Sequence, residues 1–136
     1  MKPFSKLLFG IILFSITLKL SAPDRHELII FQYPAVTLQD LVIDAMGMVE
    51  SNNDDFAVNE REGAFGRYQI RSIKLKWYAQ RTGKNYTLCQ CFDKEISLSI
   101  LKYHLSQYDD LDKSIKAWNG RGPKAERYLK RVKERL

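Results

Sequence analysis

The sequence predicts a mainly α-helical domain of the α+β type, with an irregular loop or short hairpin inserted after its first helix. Two observations carry this prediction. Apolar residues recur at spacings of three and four in several segments, and residues that favour helix ends flank those segments. Between residues 51 and 68 this spacing stops, and Asn, Asp, Glu and Gly dominate. The chain has 136 residues, which is enough for one domain with a hydrophobic core.

The first 22 residues have the order of a secretory signal peptide. Lys2 and Lys6 precede the uncharged apolar run 7–18, and the segment 19–22 closes it with small residues. This run of 12 residues is shorter than the roughly 20 that a membrane-spanning helix needs. We therefore expect residues 1–22 to be removed during export, the alternative being an uncleaved N-terminal anchor.

The net charge of the exported chain is expected to be mildly positive. Cleavage would remove three lysines and no acids, which lowers the formal charge from +6 to +3. Such a protein favours an anionic polymer such as a cell wall, or is simply soluble. No basic run is interleaved with aromatic residues, so we expect no nucleic-acid partner. We expect a monomer that meets the membrane only during export, in the periplasm or outside the cell.

Residues 23–36 are expected to form a loose lead-in, and the domain itself is expected to cover residues 37–136. Thr37 followed by Asp40 predicts a capped helix start. Apolar residues at helical spacing then predict a first helix that is largely buried. These residues are Leu38, Leu41, Val42, Ala45, Met46 and Val49. We expect the helix to stop near Asn52-Asn53, since asparagine favours helix ends and turns.

Two further helices are expected after the insert, whose short hairpin is placed around residues 63–69. Ser72 is expected to cap a helix over residues 73–81, which Gly83 would end as the C-terminal glycine. Asp93 is expected to cap a third helix with one apolar face. That face consists of Ile96, Ile100, Leu101, Leu105 and Tyr108.

Two short helices are expected near the end of the sequence. Asp112 is expected to open a fourth helix that runs into Trp118 and breaks at Asn119-Gly120. Pro123 is expected to start an amphipathic last helix, because proline fits the first helical turn. Its apolar side consists of Ala125, Tyr128, Leu129 and Val132.

Cys89 and Cys91 are separated by one residue, so a disulfide between them would be badly strained. A zinc site would need further ligands, and only His26 and His104 are available. We expect two partly buried thiols, an intermolecular or redox link being the alternative, and we expect no metal or other cofactor.

Glu50 ends the apolar first helix, and its position alone leaves two interpretations open. The C-terminal end of a helix disfavours an ionised carboxylate by about 0.3–1 kcal/mol, which raises the pKa by well under one unit. An acid that stays protonated near neutral pH needs a pKa about two units above normal, so burial must supply the rest. Glu50 is therefore either such an acid or a helix-end carboxylate that is solvated or paired with an arginine.

Three separated elements of the sequence resemble the catalytic core of the lysozyme-like soluble lytic transglycosylases. The first is Glu50-Ser51, followed by an Asn-rich loop. The second is the segment 63–70, Gly-Ala-Phe-Gly-Arg-Tyr-Gln-Ile, where the family has Gly-Ala-x-Gly-x-x-Gln-Ile. The third is the segment 117–120, Ala-Trp-Asn-Gly, where the family has Ala-Tyr-Asn-x-Gly. The resemblance extends from about residue 38 to residue 132 and implies a lysozyme-like transglycosylase domain.

The resemblance implies cleavage of peptidoglycan glycan strands between N-acetylmuramic acid and N-acetylglucosamine. A neutral Glu50 would protonate the leaving oxygen, and the acetamido group of the substrate would stabilise the positive sugar centre. The ionised Glu50 would then take a proton from the 6-hydroxyl, which closes a 1,6-anhydro ring. One glutamate would thus serve first as acid and then as base.

The same resemblance assigns the remaining site residues. Ser51 would orient Glu50 or the acetamido group, the alternative being a helix-end cap. Gln69 would bind the substrate or brace the loop, and Gly63 and Gly66 would let the backbone pass close to the sugar. Asn119 would line the cleft, the alternative being a helix stop.

Two departures from the family pattern lie in the expected cleft. Arg67-Tyr68 stands where the family has Leu-Met, and Trp118 stands where it has Tyr. An indole at residue 118 would stack on a sugar face and offers only a hydrogen-bond donor. Because of these changes, a non-catalytic domain that binds glycans or takes part in cell-wall assembly is an alternative interpretation.

A plain muramidase, which adds water to the sugar, would favour a second acid. The insert offers Asp54, Asp55, Glu60 and Glu62, all of which could equally form a solvated acidic loop. Glu62 is the best candidate, because it adjoins the Gly-Ala turn. An inverting pair of carboxyls lies roughly 6.5–9.5 Å apart, and a retaining pair about 5–5.5 Å.

Overall fold

The structure is a computed structural model, and it describes residues 35–136. This part of the chain is mainly α-helical with a small antiparallel sheet, as the sequence predicts. The helices are α1 (Leu38–Ser51), α2 (Ser72–Thr82), α3 (Lys94–Leu105), α4 (Leu111–Asn119) and α5 (Pro123–Lys133). The strands are β1 (Val58–Asn59), β2 (Ala64–Phe65) and β3 (Ile70–Arg71). The predicted signal peptide 1–22 and most of the lead-in 23–36 lie outside the described residues.

Helix α1 begins and ends where the sequence predicts. The Thr37 hydroxyl accepts a hydrogen bond from the backbone N–H of Asp40, whose carboxylate accepts one from the Thr37 N–H, forming a capping box. Asn52 ends the helix in the left-handed conformation with φ 60°. The predicted burial is wrong for Leu38 and Leu41, which are 61% and 47% exposed, whereas Val42, Ala45 and Met46 are buried.

The insert folds into a three-stranded antiparallel sheet, which is more than the single hairpin that the sequence predicts. Strand β2 pairs with β1 and β3, so that Phe65 lies opposite Val58 on one side and Ile70 on the other. Each strand has only two residues. Such strands are too short to produce an alternating pattern in the sequence, which explains why β1 was missed.

The starts of α3 and α5 are confirmed, while two others need correction. Asp93 caps α3 through bonds from two backbone N–H groups, and Pro123 opens α5. Ser72 is the first residue of α2 and makes no cap, since the preceding residue takes the extended cap conformation. Asp110 caps α4, two residues before the predicted Asp112. A short 3₁₀ helix, Cys89–Phe92, was not foreseen.

The core lies between the five helices and strand β3, and it joins the first and last helices of the domain. Helix α5 packs on both α4 and α1. All four residues predicted for its apolar side are buried, as are three of the five predicted for α3. Tyr108 lies beyond the end of α3 and is 39% exposed. The packing of α5 on α1 places the C-terminal helix beside Glu50.

Both cysteines are free thiols in different surroundings. Cys91 is buried and Cys89 is exposed, so the expectation of two partly buried thiols is wrong for Cys89. Burial, followed by the neighbouring Cys89, raises the pKa of the Cys91 thiol to about 11. Within residues 35–136, no helix is both long and apolar enough to cross a bilayer.

Candidate active site

Glu50 lies in the last turn of α1 and contributes to a small cavity of about 30 Å³. Four elements of the domain meet at this cavity: α1, the sheet region, α2 and the end of α4. Its lining residues are Glu50, Glu62, Gln69, Arg71, Lys74, Trp118 and Asn119. The fold therefore brings together Glu50 and four other residues assigned to the site from the sequence, although they come from segments nearly seventy residues apart.

The surroundings of Glu50 favour its protonated form. Burial is the largest influence on this carboxyl and raises its pKa above the ordinary value. Four groups oppose that effect by stabilising the ionised form, the largest contribution coming from the Tyr128 hydroxyl. The others are the cations Lys74, Arg131 and Arg71, in decreasing order. The net rise of the pKa is in the direction that a general acid requires.

Tyr128 was predicted only as a core residue of α5, and its role beside Glu50 was missed. The residue is 1% exposed, and within residues 35–136 its hydroxyl makes no hydrogen bond of good geometry. The same hydroxyl nevertheless lowers the pKa of Glu50, and Glu50 in turn raises that of Tyr128 after the larger effect of burial. The two groups are therefore close enough to affect each other's pKa, although no hydrogen bond of good geometry joins them.

Removing the Tyr128 hydroxyl is expected to raise the pKa of Glu50 without weakening the fold. In Tyr128→Phe the carboxylate loses a donor that stabilises its charge, so the proton is held more tightly. The free energy of unfolding should stay unchanged or rise by up to about 1 kcal/mol, because a buried hydroxyl without a good partner is removed. An NMR titration of the Glu50 carboxyl and urea denaturation measure the two effects.

Tyr78→Phe is the matched control for this experiment. Tyr78 is also buried, at 4% exposure, but it packs against Tyr86 and Tyr103 and does not line the Glu50 cavity. The pKa of Glu50 should not change in this variant. A Glu50 pKa that stayed constant or fell in Tyr128→Phe would show that the hydroxyl does not act on the carboxyl.

Lys74 is a second neighbour that the sequence analysis missed. Its Nζ lies 4.0 Å from the centroid of the Trp118 ring, and its side chain lines the Glu50 cavity. Burial, followed by Arg71, lowers the pKa of Lys74 to about 8, while Glu50 acts in the opposite direction. A lysine in α2 gave no sign of this role, because nothing in the local pattern places it near residue 50.

Trp118 lines the cavity but is not free to stack on a sugar, contrary to the sequence prediction. The residue is 3% exposed. The Lys74 ammonium lies over its ring, and His104 packs edge-on against it with ring centroids 5.0 Å apart. The indole therefore acts as a wall that fixes Lys74, and the expected contact with a sugar face is wrong.

Three other residues assigned to substrate binding lie elsewhere. The Ser51 hydroxyl donates to the carbonyl of Arg67 at 2.8 Å and accepts from the N–H of Asp54, so it ties the end of α1 to the insert. Tyr68 is 2% exposed and borders a separate depression beside α1 and α3. Gly66 approaches the backbone of Cys91 instead of a ligand. For Ser51, Tyr68 and Gly66, a role in supporting the fold therefore replaces the expected role in substrate binding.

Gln69 and Asn119 both line the Glu50 cavity, as predicted. Gln69 has φ 47°, and its Nε2 donates to the carbonyl of Gly66 at 3.0 Å. Its amide nitrogen thus braces the loop while the side chain remains at the wall of the cavity. Asn119 is the last residue of α4 and also borders a larger groove along α5.

Of the four acids in the insert, only Glu62 lines the cavity with Glu50. Asp55 forms an ion pair with Arg67 at 2.7 Å, and Asp54 accepts a bond from the N–H of Phe56. Glu60 is exposed. Within residues 35–136, no cluster of acidic, His or Cys side chains could hold a metal ion.

Comparisons with known proteins give no family for the chain. No family model matches it, and neither the curated proteins nor the solved structures include a significant match.

Proposed function

We propose that this protein is an exported enzyme that cleaves peptidoglycan between N-acetylmuramic acid and N-acetylglucosamine, forming 1,6-anhydro products. The observation that carries the proposal is the carboxyl of Glu50, whose pKa is raised by burial at the wall of a polar cavity. Gln69 and Asn119 share that cavity, and these are the residues that the resemblance to lytic transglycosylases assigns to the cleft. The proposal includes a signal peptide over residues 1–22 and a monomeric enzyme in the periplasm or outside the cell.

The neighbours of Glu50 support its use as both acid and base. Burial raises the pKa of the carboxyl and so favours the protonated form, which can donate to the glycosidic oxygen of the leaving sugar. The acetamido group of the substrate then stabilises the sugar cation. Once Glu50 is ionised, the cations Lys74, Arg131 and Arg71 stabilise the carboxylate, in that order. The carboxylate finally takes the proton of the 6-hydroxyl, which closes the anhydro ring.

Hydrolysis is the second candidate, and one observation favours it. Glu62 lines the same cavity as Glu50. A second carboxylate at this position would activate a water molecule or stabilise the sugar cation, as in glycosidases that use two acids. Hydrolysis leaves a reducing end, whereas internal attack by the 6-hydroxyl leaves a 1,6-anhydro sugar.

Mass spectrometry of cell-wall digests distinguishes these chemistries. We expect the purified protein to release 1,6-anhydromuropeptides, and we expect Glu62→Gln to retain turnover within about tenfold, since the anhydro route needs one acid. Reducing-end products together with a loss of roughly 100-fold or more in Glu62→Gln would establish hydrolysis instead. The absence of any soluble product between about pH 4 and 8 would favour a non-catalytic glycan-binding domain.

A further inference from the structure

A larger groove adjoins the Glu50 cavity along the exposed side of α5. Its volume is about 620 Å³, which lies within the range of ordinary ligand sites. Its lining residues are Asn119, Lys124, Arg127, Lys130, Arg131 and Glu134. Asn119 belongs to the walls of both concavities, and Arg131 acts electrostatically on Glu50. A ligand that occupies the groove would therefore lie next to the cavity that Glu50 lines.

The cations of the groove are largely without acidic partners. Within residues 35–136, its single ion pair joins Lys130 to Glu134 at 3.9 Å, and both side chains are exposed. Lys124, Arg127 and Arg131 form no ion pair in that part of the chain. Elsewhere on α5, by contrast, Glu126 pairs with Lys116 and Lys133 pairs with Asp112. The groove thus presents an excess of positive charge.

Helix stability explains only part of this arrangement. Lys130 and Arg131 lie in the last turn of α5, where cations are favoured by the helix dipole. Lys124 lies in the first turn, where cations are disfavoured. Arg127 lies three residues after Lys124. It also precedes Lys130 and Arg131 by three and four residues, and like charges at these spacings repel on a helix surface. Helix stability therefore does not account for Lys124 and Arg127, and the excess of cations around the groove suits it to attract anions.

We propose that the groove is an anion subsite that binds carboxylates of the peptide carried by the glycan strand, and so directs cleavage to peptide-bearing strands. The inference rests on the proposed function, because it takes the strand cleaved at Glu50 as the ligand. The peptide is linked to the muramic acid next to the cleaved bond, and its free carboxylates extend from the sugar. The guanidinium groups of Arg127 and Arg131 suit carboxylates, which they bind through two parallel N–H bonds.

The test compares turnover of intact glycan strands with turnover of strands whose peptides have been removed by an amidase. For the full-chain protein we expect kcat/KM to be about tenfold higher on peptide-bearing strands, the lower end of what bonds to charged groups contribute. The ratio of the two values should fall to about one in Lys124→Gln/Arg127→Gln. The Tm of this variant should be unchanged or higher, because like-charge repulsion is relieved.

Lys76→Gln/Lys84→Gln removes two exposed cations that do not line the groove, and it should keep the wild-type ratio. The subsite is wrong if the wild-type protein turns over both substrates equally, or if the groove variant keeps the preference. The subsite would also be overturned if a phosphate-bearing wall polymer inhibited turnover while removal of the peptides had no effect.

Failure of the proposed enzymatic function can be distinguished from failure of the subsite. If no strand is cleaved, the enzymatic proposal fails, and the subsite is then tested by co-sedimentation of the proteins with both kinds of strand. Binding that prefers peptide-bearing strands in the wild type and loses this preference in Lys124→Gln/Arg127→Gln supports the subsite. Equal binding of the two strands overturns it.

Discussion

Glu50→Gln is expected to reduce release of soluble peptidoglycan fragments by about 10³–10⁴-fold, the upper part of the range for loss of general acid–base catalysis. The amide has nearly the shape of the acid but can neither donate the proton to the leaving oxygen nor accept one from the 6-hydroxyl. Both halves of the proposed reaction are lost in a single substitution, which is why the expected effect is so large.

The fold of Glu50→Gln should remain intact. Burial already disfavours the charged carboxylate at this position, so a neutral amide removes no essential charge from the core. The Tm should therefore stay the same or rise slightly, and loss of turnover with a normal Tm would locate the effect in the chemistry. Glu60→Gln, an exposed acid of the insert, is the control and should keep full turnover.

The pH dependence of the wild-type protein provides an independent check. The first step of the proposed reaction needs Glu50 in its protonated form, and burial raises the pKa of that group. Turnover should therefore persist above the pH at which an ordinary glutamate ionises and should fall as the pH rises through the raised pKa. If Glu50→Gln released fragments as fast as the parent, the proposed mechanism would be refuted.

Gly66→Ala is expected to destabilise the domain by about 3 kcal/mol or more, which is among the larger effects of a single substitution. Gly66 has φ 74°, a conformation that costs an L-residue about 1–2 kcal/mol. A Cβ at this position would also overlap the carbonyl oxygen of Cys91 and lie 2.9 Å from its carbon. The obstacle is backbone, so no side-chain rotation relieves it.

The backbone around Gly66 has little room to move. Its N–H donates to the carbonyl of Ala57 at 2.8 Å, and its carbonyl accepts from both the backbone N–H and the side-chain Nε2 of Gln69. A displacement that accommodates a methyl group would weaken these bonds and shift Gln69 at the cavity wall. Residual folded protein should therefore also have reduced turnover.

Gly63→Ala is the matched control for the folding measurement. Gly63 has φ 59°, but a Cβ there meets nothing within 4 Å. Urea denaturation should give a loss of about 1–2 kcal/mol for this variant, which reflects the backbone conformation alone. If Gly66→Ala and Gly63→Ala lost the same free energy of unfolding, the contact with Cys91 would not explain why residue 66 must be glycine.

Local signals in the sequence determined most of the helical architecture. Thr37 with Asp40, Asp93 and Pro123 mark helix starts through bonds or ring geometry that involve only the next few residues. The buried face of α5 is likewise predicted by the spacing of its apolar residues. Where two such residues lie close together, as Asp110 and Asp112 do, local signals do not decide between them, and the prediction of Asp112 is wrong.

The sequence by itself also determined that Glu50 ends the first helix and precedes a loop with glycines, from which a buried acid was one of two interpretations. Only the tertiary structure decided that Tyr128, Lys74 and Arg131 surround this acid, that Trp118 is buried under Lys74, and that Gly66 faces Cys91. The physical reason is the separation along the chain over which each effect acts. A helix cap depends on neighbours within one turn, whereas the pKa of a carboxyl depends on burial and charges contributed by every element that packs around it.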